Sequence, residues 1–289
     1  AKAGEPIAAA KQENVIEENA RPFELTGTDR FGCAPLSRFI VKAHPESLTH
    51  PLTVLEPGLY LLIPDNLGVA DALSRTLRGA GMQSMLIPKE LLDDAGRLQQ
   101  WMNTQWRGST IRALIHLLPL GQPLFAADAA LTEWRERVAR EVKSLFTLLQ
   151  WVGGDLRDGG RLLTVSGLGG RFGRDLYATH ALAGDALAVK AGMERVFPGS
   201  AGLTGLVKTL NLEWNPDLAQ PGFIGKALDL DPSDEPERLA ALVFQELALP
   251  GGRREVSYPE GVRTIFRTVP ASLSPLPTPL RQPDEHWVV

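Results

Sequence analysis

The chain has 289 residues, 44% of them hydrophobic, and a net charge of −4 from 30 basic and 34 acidic side chains. That length and composition describe a globular protein able to bury a full core without disulfides or metal. The acidic balance lacks the basic footprint of nucleic-acid binding, and no apolar run approaches the ~20 residues of a membrane span. The single cysteine, Cys33, can form neither an internal disulfide nor a zinc site alone, which points to a reducing cytoplasm.

Residues 1–35 are polar and then turn-rich, and read as a lead-in or linker. SRFIVKA (37–43) alternates like a strand, and GLYLLIP (58–64) has the continuous apolar run of a strand buried on both faces. Leu67–Gly81 carries helical spacing closed by glycine, and MQSMLIP (82–88) is the next strand. Lys89–Trp106 reads as mostly helical, IRALIHLLPL (111–120) contains a strand, and Asp128–Trp151 reads as one long amphipathic helix. RLLTVSG (161–167) is a strand, and Asp175–Val196 and Ser200–Trp214 are helical. FIGKALDLD (223–231) is a strand, Ser233 opens a helix to Leu249, and REVSYPEGVRTIFRTV (254–269) is a hairpin about Pro259-Glu260-Gly261.

Strands alternating with helices imply a doubly wound α/β fold: a mostly parallel, Rossmann-like sheet with helices on both faces. FIVKAHPESL (39–48) and TIFRTVPASL (264–273) echo one another and suggest added antiparallel edge strands at the two ends of that core. The domain occupies 36–269. Residues 270–289, with Pro270, Pro275, Pro277, Pro279 and Pro283, form a proline-rich linker ending in HWVV, which reads as the start of a strand. A start without Met and an end within a strand suggest part of a longer chain.

A doubly wound sheet directs attention to phosphate-binding turns. The first strand–helix turn, IPDNLGVADAL, offers Gly68 alone, and Asp65 stands where a phosphate would dock. VSGLGGRFGRD (165–175) carries Gly167, Gly169, Gly170 and Gly173, the alternate cofactor-binding residues. Its G-x-G-G-x-x-G spacing departs from the dinucleotide fingerprint, and no strand with an acidic residue follows ~20 positions on. It therefore reads as a flexible loop at the carboxyl edge of the sheet.

The alternate catalytic residues are Ser166 and Tyr177, eleven apart, but position 181 is Ala and Lys190 lies more than three turns from the tyrosine. A tyrosine without a neighbouring cation is a poor proton relay at neutral pH. His116 sits in an apolar strand as a core imidazole, and His180 has no evident carboxylate partner. Asp229, Asp231, Asp234 and Glu235 cluster at a strand end and helix start, where they favour the positive helix end. No histidine spacing suits a metal.

GLYLLIPDNLGVADALSRTLRGAG, IRALIHLLPL, EVKSLFTLLQ, RLLTVSGLGGRFG, AGLTGLVKTLNLEW, ALDLD, LAALVFQEL and EVSYPEGVR follow one another in an order that resembles a known family. It is the ketoreductase domain of type I polyketide synthases and polyunsaturated fatty acid synthases, which pairs two short-chain dehydrogenase/reductase-like halves. The resemblance is to the first, structural half, which lacks the cofactor loop and catalytic residues. It implies that HWVV begins the catalytic half, and that Ser166 and Tyr177 hold vestigial positions. It also implies no cofactor in this chain, with NADPH bound in the parent domain. The partners implied are the catalytic half of the same polypeptide and, indirectly, acyl carrier protein. The competing readings are a self-sufficient divergent reductase using Ser166, Tyr177 and the 165–173 loop, and a pseudo-reductase serving docking or dimerisation.

Overall fold

A strand covered on both faces must be apolar at every position, and β2 (Leu59–Ile63) is buried throughout. Its alternate side chains enter two different cores. Tyr60 and Leu62 face one side with helices α1 (Val69–Gly79) and α6 (Pro236–Ala248). Leu59, Leu61 and Ile63 face the other with α2 (Ala95–Gln105), α4 (Ser144–Arg157) and α5 (Ala201–Glu213). The computed structural model describes residues 38–48, 51–106, 108–122, 130–174, 197–215, 222–251 and 253–271. The main compact unit is Val41–Arg267, and the described residues 38–40 and 268–271 belong to a separate one.

The remaining strands are β1 (Arg38–Pro45), β3 (Gln83–Leu86), β4 (Ile111–His116), β5 (Arg161–Ser166), β6 (Ile224–Asp229), β7 (Glu255–Ser257) and β8 (Thr264–Ala271). Their order in the sheet is β1-β8-β7-β6-β5-β4-β2-β3. Every pair from β3 to β7 is parallel, and β8 is antiparallel to β7. The expected doubly wound, mostly parallel sheet is therefore present. The expected added edge strands are present as well, with β8 antiparallel to β7, but β1 and β8 lie side by side at one edge and not at the two ends of the core.

Two helices differ from the sequence reading. The long helix is broken into α3 (Leu131–Val138) and α4 by a π-helical turn, Ala139–Lys143. That turn brings Glu141 into the interior. Helix α6 begins three residues after Ser233, because Pro236 supplies a preset first turn while Ser233 is held by Asp231. The expected helix Asp175–Val196 lies outside the described residues, as do Tyr177, His180, Lys190 and HWVV.

Strand β6 shows why the stretch TLNLEWN has its asparagines. On its outer side β6 pairs with β7 only from Ala227 onward. Before that point, side-chain amides replace a neighbouring strand. Asn211 Nδ2 donates to Gly225 O, and Gly225 N–H donates to Asn211 Oδ1. Asn215 does the same for both backbone groups of Phe223. A Cβ at position 225 would lie 2.5 Å from Asn211 Nδ2, so only glycine allows this approach. We expect Asn211→Ala to lower stability by about 2–3 kcal/mol through two orphaned backbone groups, read as a lower urea midpoint. An unchanged midpoint would mean that water replaces the amide.

Candidate functional site

In an open α/β sheet, ligands bind where the winding reverses, outside the carboxyl ends of the strands. Here β2–α1–β3 winds one way and β3–α2–β4 returns to the other side of β2, so the reversal lies between β2 and β4. The turn after β2 is filled by its own residues. Asp65, which is buried, accepts from the backbone N–H groups of Leu67 (2.7 Å), Val69 (3.1 Å) and Ala70 (2.8 Å). It stands at the α1 N-terminus as the sequence suggested. Lys89, which follows β3, closes the turn from outside by donating to Asp65 O and to Asn66 Oδ1. Across the crevice Leu67 packs on Gly121, whose φ is +73° and whose Cβ would lie 2.4 Å from the leucine Cγ.

The glycine-rich segment after β5 is organised around one carboxylate. Asp229, fully buried at the end of β6, accepts from Ser166 Oγ, Leu168 N–H and Phe172 N–H, each at 2.7 Å. Gly169, Gly170 and Gly173 all have positive φ, which lets the chain coil tightly enough to present those donors. Gly170 also lies against Pro259, where a Cβ would sit 3.0 Å from that ring's Cα. Gly167 packs near Leu120 and Pro232. The expectation of a flexible loop is thus corrected: the segment is tied at both ends and at its centre. Asp229 is corrected too, because its carboxylate turns to this segment and not to the start of α6. Burial pushes its carboxyl up to about 6, against the hydrogen bonds that pull it down.

Ser166, the serine of the alternate Ser–Tyr pair, gives its hydroxyl to Asp229 and lies near Leu228 O. The arrangement makes it a tether. Its sequence companion Tyr177 is outside the described residues, so no Ser–Tyr geometry is drawn.

Two further polar clusters lie elsewhere; of their members the sequence reading singled out only His116, as a core imidazole, and the structure buries it. At the end of β4, buried His116 places Nε2 2.6 Å from Glu141 O, while burial lowers its pKa to about 4 and keeps it neutral. The Glu141 carboxylate, also buried, pairs with Arg137 Nε at 2.5 Å and accepts from Ser200 Oγ at 3.4 Å. Beyond β6, buried Lys226 and Glu246 form an ion pair (3.2 Å), and Glu246 also accepts from Tyr258 Oη (2.7 Å) and Arg263 Nε (2.6 Å). Burial raises the Tyr258 phenol, and the adjacent Glu246 charge raises it further. A charge at a core-facing position inside an apolar run, as in FIGKALDL or LVFQELAL, was the available signal.

Among the described residues no group of three or more His, Cys, Asp or Glu is placed to hold a metal. No described helix is long and apolar enough to cross a membrane. A groove of about 620 Å³ lies between the start of α2 and the α3–α4 helix, away from the switch point. The Arg140–Asp93 pair bridges its walls with bonds of 3.0 and 3.2 Å.

Two outcomes follow from these carboxylates. Asp65→Ala should cost about 1–3 kcal/mol in chemical unfolding, because the start of α1 loses its acceptor. An unaltered midpoint would assign the capping to solvent. The second outcome is pH dependence. With its folded pKa raised from 3.8 to about 6, Asp229 makes the folded state bind more protons. Its contribution therefore favours folding below pH 4 and declines as pH rises to 6, by up to about 3 kcal/mol. Unfolding of Asp229→Asn followed across that window should lack this declining component; an identical pH profile would place the titration elsewhere.

No family model matches the chain, and no curated protein sequence is significantly similar to it. Solved structures do match. One is described as the adenylation, ketoreductase and pseudo Asub multidomain structure of a keto acid-selecting NRPS module. It has a TM-score of 0.53 at 14% identity, over 81% of this chain and 18% of that one. A small-chain dehydrogenase gives 0.48 at 14% identity, covering 68% of this chain and 92% of its own. An N-terminal ketoreductase from the macrolactin assembly line gives 0.45 at 13%, covering 83% and 45%. The chain thus spans under a fifth of the multidomain protein it matches. Likeness at this level shows the fold: the chain has a Rossmann-like fold.

Proposed function

We propose that this chain is the non-catalytic structural half of a ketoreductase within a multidomain polyketide or fatty acid synthase. The observation that carries the reading is the self-filled switch point. A dinucleotide pyrophosphate needs free N–H groups and neutral or positive surroundings at the first helix N-terminus. Here Val69 and Ala70 N–H groups already bond the Asp65 carboxylate, and Leu67 occupies the crevice against Gly121. The residues present do not fit the cofactor. The Ser166 hydroxyl, bonded to Asp229, is likewise engaged inside the chain. The fold match to a chain that includes a ketoreductase, of which this chain spans 18%, supports a part within a larger assembly.

In this reading the catalytic half lies in the same parent polypeptide, binds NADPH and reduces β-ketoacyl thioesters carried on acyl carrier protein. This half supplies a packed α/β body and is cytoplasmic with its parent.

The direct test is calorimetric titration of the full 289-residue chain with NADPH. No heat of binding is expected up to millimolar cofactor, and micromolar affinity would instead favour a self-sufficient reductase. A second check uses the parent synthase: Tyr177→Phe should leave its ketoreduction rate within about two-fold. A loss of ~10²-fold or more, the size of a lost acid–base group, would make that tyrosine catalytic.

A further inference from the structure

A chain of alternating charges runs from the centre of the sheet to its edge. It starts at Lys226 in β6, buried, whose Nζ donates to Glu246 O (2.8 Å) and Oε2 (3.2 Å). Glu246 on α6 accepts from Arg263 Nε at 2.6 Å. Arg263, just before β8, reaches on through Nη1 to Glu46 Oε2 at 2.6 Å. Glu46, just after β1, is also gripped by Arg253, whose Nε and Nη2 donate to it at 2.9 and 2.6 Å. The Glu46 N–H donates to Arg263 O at 2.9 Å, so the same two residues meet through backbone and side chain.

The inner end of this chain is apolar in its surroundings, and the outer end is not. Val41 is 51% exposed, and the burial of β1 as a whole is exposed or intermediate at every position. Apolar packing therefore contributes little to holding β1. The next described anchor along the chain is Thr53, whose N–H and hydroxyl both donate to Ala248 O at the end of α6. Beyond the backbone pairing of β1 with β8, the described side-chain tie between the strand and Thr53 is the carboxylate of Glu46, which Arg267 of β8 also approaches at 4.0 Å.

We propose that the Lys226–Glu246–Arg263–Glu46–Arg253 chain is a latch, and that β1 from Val41 onward opens and closes on the sheet as a unit without unfolding of the core. The buried Lys226–Glu246 pair holds Arg263 in one orientation, and Arg263 in turn presents the guanidinium that receives Glu46. Segments with little apolar burial open at lower free energy than the core and are released by loss of a few polar contacts. Charge-assisted bonds are the stronger kind of such contact. When the latch opens, β8 becomes the sheet edge and offers its backbone to another strand. This inference concerns the chain by itself and does not depend on the reductase reading.

The experiment is hydrogen–deuterium exchange by mass spectrometry on the full chain and on Glu46→Gln. The expected result is a rise of about ten-fold or more in exchange for peptides covering 41–48, with no change in those covering 59–63, 111–116 and 161–166. Arg253→Ala should act in the same direction, and removes only the outer member. Glu246→Gln, if it folds, should extend the faster exchange to the start of β8. Unchanged exchange at 41–48 in Glu46→Gln overturns the proposal. So does an equal acceleration throughout the central strands, since that would make Glu46 a general contributor to stability.

Discussion

Folding a parallel sheet between two helical layers takes water from backbone groups that the sheet itself cannot pair. Those groups collect where strands end and helices begin, and wherever one strand outruns its neighbour. The structure answers them from within. Asp65 serves the start of α1, Asp229 serves the glycine segment, and Asn211 with Asn215 serves the unpaired margin of β6. Arg161 closes the last carbonyls of α6 by donating to Leu247 O and Leu249 O. Each of these side chains is a donor or acceptor that water or a neighbouring strand would otherwise supply.

In the proposed reading, the same economy distinguishes this carboxyl edge from a cofactor site. A pyrophosphate site leaves helix N–H groups unsatisfied until the ligand arrives, whereas a carboxylate three residues before the helix cap satisfies them permanently. Buried carboxylates are tolerated here because each receives several donors. Neighbouring described loops touch along this carboxyl edge, as Leu67 does with Gly121 and Gly170 with Pro259.

Much of the fold was legible because apolar patterning repeats with the period of each element. β2, β4, β5 and β6 announced themselves as short buried runs, and Asp65 was recognisable as an anion at a helix start. Periodicity says nothing about spatial neighbours, however, so β1 and β8 could not be placed on one edge. It also failed at Ala139–Lys143, where a π-helical turn inserts extra backbone without disturbing the surrounding helical spacing. The role of Asp229 was hidden for a similar reason. Its donors come from residues 57 to 63 positions earlier, and sequence proximity pointed to α6 instead.

The paired asparagines of α5 carry one more consequence. A partly unpaired strand ordinarily offers a template on which another chain can add, the first step of edge-to-edge aggregation. Side-chain amides from Asn211 and Asn215 occupy the relevant groups of Phe223 and Gly225 in full, and they do so from a helix that cannot propagate a sheet. The short length of β7 is thereby made safe: the margin it leaves uncovered is closed to polymerisation.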